Sequence, residues 1–320
     1  SLSTGTGNIQ FDQTGNEALA VTLATTTDGS ITITNTGDAA ADTLTVTTAT
    51  TGNNNAVTLT TNTRGDIVLD GAVSVGTGMV TVTSADSATL NDITAGDLTV
   101  DVDTSMSGSL LDLGDGTLTI TNTIMLSGTG TDDTLRAQAG GNTWIVTAAN
   151  TGTLNGAFAS FSNIGTISGD NSVDLDTIDQ SAAGAAAGAI DVVLSSAGTD
   201  DGVAGTITGL IDFDKIAVID KDDNANNSIT GANAIATWTI DGGPTENYAI
   251  GGQDLDFSGS GIFTTLTGGS GNDTFNVTES YTGDLAGGDG TNVYNLSSTT
   301  QAILNGNITG GTGSDTFNFG

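Results

Sequence analysis

One phrase is written three times near the end of the sequence. It reads LTGGSGNDTFNV at Leu266–Val277, LAGGDGTNVYNL at Leu285–Leu296 and ITGGTGSDTFNF at Ile308–Phe319. Each copy has an aliphatic residue, a Gly-Gly turn, an acidic or amide residue, and a short β-type run carrying Phe, Val, Tyr or Leu. The glycine pairs begin at Gly268, Gly287 and Gly310, so the period is 19 and then 23 residues. That period is too long for a hairpin repeat and too short for a helix-pair repeat. It suits one coil of a β-solenoid, in which a coil buries its apolar face only by stacking on its neighbours. The fold class that follows is all-β, a β-solenoid with about 20–24 residues per coil.

The rest of the chain agrees with this. The 320 residues include 47 Gly and a single Pro, with Thr, Val, Ile, Asn and Asp filling much of the remainder. This is a mixture of β-branched strand residues and turn formers. Residues 1–128 are short alternating segments such as Ile31-Thr-Ile-Thr34, Val57-Thr-Leu-Thr60 and Val80-Thr-Val-Thr83. Alternation with period two buries one face and dresses the other with threonine. Such segments form either hairpins in a sandwich or coils, and the absence of domain punctuation favours coils. Residues 129–265 carry a longer unit, with its last apolar positions at Ile167, Ile219 and Leu266. That is about two coils each. Residues 266–320 hold the Gly-Gly phrases, and no linker interrupts 1–320, so one continuous solenoid is expected. The chain begins with Ser1 and stops just after a repeat, which suggests a processed product or a piece of a longer protein.

Charge narrows the partners. Four Lys+Arg face 37 Asp+Glu, a net charge of −33, and there is no His and no Cys. Such a surface repels nucleic acid and anionic membrane. No apolar run is long enough to span a bilayer, so neither nucleic-acid binding nor direct membrane insertion is expected. Without Cys there is no disulfide framework. Without His or Cys the common catalytic bases, thiol nucleophiles and most zinc ligands are missing. A carboxylate-pair glycosidase is the enzyme chemistry that remains, and no pair stands out.

The Gly-Gly phrase matches G-G-x-G-x-D-x-U-x at Gly268–Asn276 and Gly310–Asn318. That pattern belongs to calcium-bound parallel β-structure. Glycine turns present carbonyls, aspartate adds a carboxylate, and Ca²⁺ takes six to eight oxygens. The expected calcium ligands are Gly268, Gly269, Gly271 and Asp273, then Asp289 and Asn292, then Gly310, Gly311, Gly313 and Asp315. The competing use of the same residues is a corner in which Asp or Asn caps the turn. Asp220, Asp222, Asp223 and Asn224 begin like a calcium loop but lack its glycine and final Glu, and fit a solvated loop. Arg64-Gly65-Asp66 is the integrin-type tripeptide, short enough to recur by chance. Trp144 and Trp238 hold equivalent places in two units and fit core positions better than exposed sugar platforms. Thr-x-Thr pairs would make a hydroxyl array of the ice-binding kind only in strict register between coils. The uneven loops argue against such register.

Gly65-Asp-Ile-Val-Leu-Asp-Gly71, Ala95–Val102 and Asn142-Thr-Trp…Gly152-Thr-Leu-Asn-Gly156…Phe161-Ser-Asn-Ile164, followed later by GGSGNDTFNV, resemble the shaft of filamentous-haemagglutinin-like bacterial adhesins. The last phrase is also similar to the glycine-rich turns of RTX proteins. The adhesin resemblance implies a right-handed parallel β-helix exported to the bacterial surface, with a role in adhesion, aggregation or biofilm matrix. No catalytic or ligand residue carries over from it. The expected function is a non-catalytic rod segment of a secreted adhesin or matrix fibre, whose partners are cell-surface or matrix glycans or copies of itself. A calcium-dependent surface-layer or sheath subunit is the alternative, and a carbohydrate-active β-helix enzyme the third.

Overall fold

Alternating Ile/Val/Leu and Thr residues form the strands, because β-branched side chains pack well on a pleated, half-buried surface. In Ile31–Gly37 every second residue, starting with Ile31, is buried and the residues between are partly exposed. The same alternation runs through Val57–Thr63 up to Thr61 and through Met79–Thr83. The computed structural model describes all residues except 103–107, 157–158, 171, 173, 183, 199–201, 221–225, 242–245, 258–262 and 298–302. The described residues contain strands and turns and no helix. The chain is all-β, with long sheets built largely from parallel strands, the organisation of a β-solenoid.

Contacts divide the chain into two compact units, 1–139 with 150–167, and 140–149 with 168–320. In the first unit three columns of parallel strands are aligned residue for residue. Leu2, Ala24, Ala49, Val73, Ile93 and Leu118 are successive partners in one column. Ile9, Ile31, Val57, Val80, Leu98 and Ile124 are successive partners in the second. Leu19, Leu44, Ile67, Ala88, Leu111 and Leu135 follow in the third. Partners lie between 18 positions apart, as Val80 and Leu98, and 26 apart, as Ile31 and Val57. Most of these residues are fully buried. Each buried Val, Leu or Ile contributes roughly 1.5–3 kcal/mol relative to leaving it exposed.

The second unit repeats the scheme with longer excursions. Val192, Ile229, Leu266, Leu285 and Ile308 are partners in one parallel column. Trp238, Phe275, Tyr294 and Phe317 are partners in another. The three Gly-Gly phrases therefore stack in register.

The long units expected between 129 and 265 differ from plain coils. Thr151–Leu154 pairs antiparallel with Ala159–Ser162 in the first unit. In the second, Asp191–Ala197, Val203–Ile207 and Ile211–Ile216 form an antiparallel meander. Ala236–Ile240, Asn247–Ile250 and Gln253–Asp256 form another. The physical reason lies in the turns. Gly251 and Gly252 have φ of 60° and 88°, and two residues at positive φ make the two-residue turn whose twist matches a hairpin. Phe158, part of the first of these units, lies outside the described residues.

Candidate functional site at the glycine–aspartate corners

Every copy of the Gly-Gly phrase turns a corner, and the acidic or amide residue of the phrase folds back into it. Asp273 is 1% exposed. Its Oδ2 accepts the Gly269 N–H at 3.1 Å, within the same turn. Its Oδ1 accepts the Ala236 N–H at 3.1 Å, from an earlier strand start. Asn292 holds the next position: its Oδ1 accepts the Asp273 N–H at 2.9 Å. Asp315 follows, with Oδ1 accepting the Asn292 N–H at 3.0 Å and the Asn292 amide Nδ2–H at 3.1 Å. The corners are thus linked in series, each side chain reaching the backbone of the previous one.

The first glycine of each phrase makes room for this. A Cβ on Gly268 would overlap Asp273 Oδ2, one on Gly287 would overlap Asn292 Nδ2, and one on Gly310 would overlap Asp315 Oδ2. Gly269 and Gly271 pass close to Ala232 O and Ala234 O, and Gly311 and Gly313 pass close to Gly288 O and Gly290 O. Strand starts therefore approach more closely than side chains permit.

The same corner occurs three more times, in places the sequence did not mark. Asp42 Oδ2 accepts the Asp38 and Ala39 N–H groups at 3.0 Å, and Asp133 Oδ2 accepts those of Thr129 and Gly130 at 3.1 Å. Asp133 Oδ1 takes the Ser109 N–H at 3.0 Å. In the second unit Asp176 accepts the Asn142 N–H at 2.9 Å and the Asp170 N–H at 3.2 Å. Gly37, Gly128 and Gly169 stand where Gly268 stands, each too close to its aspartate to carry a Cβ. The spacing was the available signal: the aspartate comes five residues after the glycine at Gly37, Gly128, Gly268 and Gly310, and seven after Gly169.

Several of the atoms expected to hold calcium are engaged in such bonds. Gly269 O accepts the Asp289 N–H at 3.1 Å and Gly310 O accepts the Asn292 amide N–H at 3.2 Å. Asp289 lies toward the outside, with Oδ1 accepting from the Thr312 hydroxyl. Two backbone N–H groups already occupy the Asp273 carboxylate, whereas calcium would draw on those oxygens for its shell. Among the described residues no three acidic side chains gather closely enough to hold a metal ion.

Burial sets the electrostatics. It pushes Asp273 up to about 6, with the Ala236 and Gly269 N–H groups pulling partly the other way. Burial likewise pushes Asp176 up to about 6, against the Asn142 bonds and with help from the Asp170 charge. The unfolded carboxylates titrate near 3.9. Between these values the folded chain holds protons that the unfolded chain releases. The stabilisation from protonating these two groups is therefore present at low pH and lost as pH rises through about 6. The chain is expected to melt at a higher temperature at pH 5 than at pH 7.5, and Asp176→Asn with Asp273→Asn should flatten the difference. An unchanged slope in the double variant would refute the assignment.

Other marked residues are placed as follows. Arg64-Gly65-Asp66 is bound into the fold: the Arg64 guanidinium pairs with Asp86 at 3.1 Å, Gly65 N–H donates to Asp86, and Asp66 accepts from Ser87 N–H. Trp144 and Trp238 are fully buried. Asp220 ends the strand Val218–Asp220, while Lys221, Asp222, Asp223 and Asn224 lie outside the described residues. Asp254 and Asp256, two positions apart on one strand, line a groove of about 340 Å³ with Leu175, Asn247 and Gln253. The chain has no histidine or cysteine to work beside them. No protein-family model, no curated protein and no solved structure matches this chain.

Proposed function

We propose that this chain is a structural and adhesive segment of a secreted bacterial surface adhesin or matrix fibre. In this reading it is a right-handed parallel β-helix with coils of about 20–24 residues, extracellular and non-catalytic. The observation that carries it is the in-register stacking of outward residues in both units. Thr32, Thr58 and Thr81 align in one, and Asn276, Asn295 and Asn318 in the other. A surface that repeats at each coil offers many weak sites in a row, and tethered weak sites give avidity without a deep pocket. Surface glycans or further copies of the chain are the partners suited to such a surface. Beads coated with the chain should be retained on glycan-bearing cells or clump with one another. Beads that stay dispersed and unbound at both low and physiological salt would sink the reading.

A calcium-dependent surface-layer subunit is the second reading, favoured by the −33 charge, which needs cations before copies can pack side by side. A thermal melt in EDTA and in millimolar calcium, with light scattering recorded alongside, separates the two. The capped corners predict equal midpoints. A midpoint raised by calcium, with scattering that grows before melting, would support the lattice.

A further inference from the structure

Outward threonines of the first unit form a two-dimensional grid. Thr32, Thr58, Thr81 and Thr99 stand in one row across four neighbouring strands. Thr34, Thr60 and Thr83 stand in the next row, two positions along. Their inward neighbours, among them Ile33, Leu59 and Val82, are fully buried, so the pleat turns each threonine the other way. The uneven loops do not disturb this order. Thr32 and Thr58 are 26 residues apart and Thr81 and Thr99 only 18, yet both pairs are direct partners. Hydrogen bonding between strands sets the register, and the loops take up the difference in length.

Three properties of the grid restrict what it can bind. First, among the described residues no hydroxyl of these seven threonines has a hydrogen-bond partner within the chain. The outward asparagines of the second unit behave differently: Asn295 donates to Asn276 at 2.8 Å and Asn318 to Asn295 at 2.7 Å. Second, threonine is stiff at χ1, so methyl and hydroxyl repeat on a grid of about 4.8 Å between strands and about 6.8 Å along them. Third, the grid is neutral over three of its four strands in a chain of net charge −33, and only the edge strand Ile93–Asp101 brings carboxylates, Asp97 and Asp101 on either side of Thr99. Ile31–Gly37, Val57–Thr63 and Met79–Thr83 contain no charged and no aromatic residue. Asp12 and Asp101, the partners of Thr34 and Thr83, bound the second row at its two ends.

A face without aromatic rings has no stacking platform for a tightly held single sugar, so glycan contacts there are weak and rest on repetition alone. Without charge its three neutral strands have no hold on ionic solutes. It does match a regular, uncharged lattice of hydrogen-bonding oxygens. We propose that this grid is an ice-binding face, on which the hydroxyls take lattice positions of the first water layer and the methyl groups fill the hollows between them. The inference needs only the register of the first unit and stands whether or not the chain is an adhesin.

The test is partition into ice grown slowly from a dilute solution of the whole chain, with thermal hysteresis read in parallel. The native chain should enter the ice. A Thr58→Tyr, Thr81→Tyr chain should be left in the liquid, at least about tenfold depleted, which corresponds to a loss of about 1.4 kcal/mol in affinity. Thr45→Tyr, on another strand column of the same unit, should partition as the native chain does. Circular dichroism melts check that each variant folds. If the tyrosine pair misfolds, Thr58→Ser with Thr81→Ser keeps the hydroxyls, removes the methyls, and should still weaken partition. Exclusion of the native chain from ice overturns the proposal whatever the variants do. Exclusion from ice with sedimentation on crystalline cellulose would replace it with a polysaccharide face. Equal partition of a folded tyrosine pair and the native chain would also overturn it.

Discussion

Trp238→Ala should destabilise the second unit by about 3–5 kcal/mol, the range for removing a large buried aromatic. Trp238 is fully buried and begins a column of parallel rings. Phe275 stacks on it at 5.5 Å and 5°, Tyr294 on Phe275 at 5.0 Å and 10°, and Phe317 on Tyr294 at 4.9 Å and 3°. Tyr248 packs edge-on against the same indole at 4.6 Å. Each ring pair adds about 0.5–1.5 kcal/mol beyond the area it buries, and the indole takes part in several. In stacked repeats each coil leans on its neighbours, so the damage should be local. Amide exchange should quicken at Thr274–Val277 and Val293–Leu296 and stay slow at Ile31–Gly37. Trp144 remains as a fluorescent reporter of the variant. A loss below about 1 kcal/mol would mean that the indole does not anchor the column.

Asp273→Ala should cost more than Asp273→Asn. Alanine strips the caps from the Ala236 and Gly269 N–H groups, and an unsatisfied buried donor costs about 1–3 kcal/mol. The pair together puts the expected loss at about 2–5 kcal/mol. Asparagine keeps an acceptor in the same place, as Asn292 does one corner later by accepting the Asp273 N–H. It turns an amide N–H toward the second donor, so one of the two caps is lost and the expected change is about 1–3 kcal/mol near neutral pH. Gly268→Ala should behave like the alanine variant, because its Cβ would overlap Asp273 Oδ2. Denaturant melts of the three variants check the order. Asparagine as damaging as alanine would show that one retained acceptor does not hold the corner.

Much of the architecture was legible because two periodicities coincide. The period of two in Ile31-Thr-Ile-Thr34 fixes which side chains go inward, and the 19- and 23-residue steps of the Gly-Gly phrase state that coils stack. Strand direction was not legible, since alternation reads the same in parallel and antiparallel pairs. The cue lay in turn chemistry, at Gly251-Gly252 between Asn247–Ile250 and Gln253–Asp256. The corners were half legible. Asp273, Asn292 and Asp315 sit in matching phrases, whereas Asp42, Asp133 and Asp176 sit in loops of different composition and share only a glycine and a carboxylate, with the five-residue spacing kept at Asp42 and Asp133 and not at Asp176. Register across the threonine rows was hidden for a simpler reason. Loop lengths are visible in a sequence and hydrogen-bond register is not, and the loops pointed the wrong way.

The order Asp273, Asn292, Asp315 has an effect on charge that neither residue has alone. Three carboxylates at successive corners would sit one strand spacing apart, about 4.8 Å, where like charges repel by roughly 3–4 kcal/mol at an effective dielectric constant near 20. A neutral amide in the middle doubles the distance and halves that repulsion. The asparagine also donates where a carboxylate cannot, to Gly310 O at 3.2 Å and to Asp315 at 3.1 Å. Alternation between a carboxylate and a neutral cap thus lets a strongly acidic chain line a seam with aspartate at about half the repulsion that adjacent carboxylates would carry.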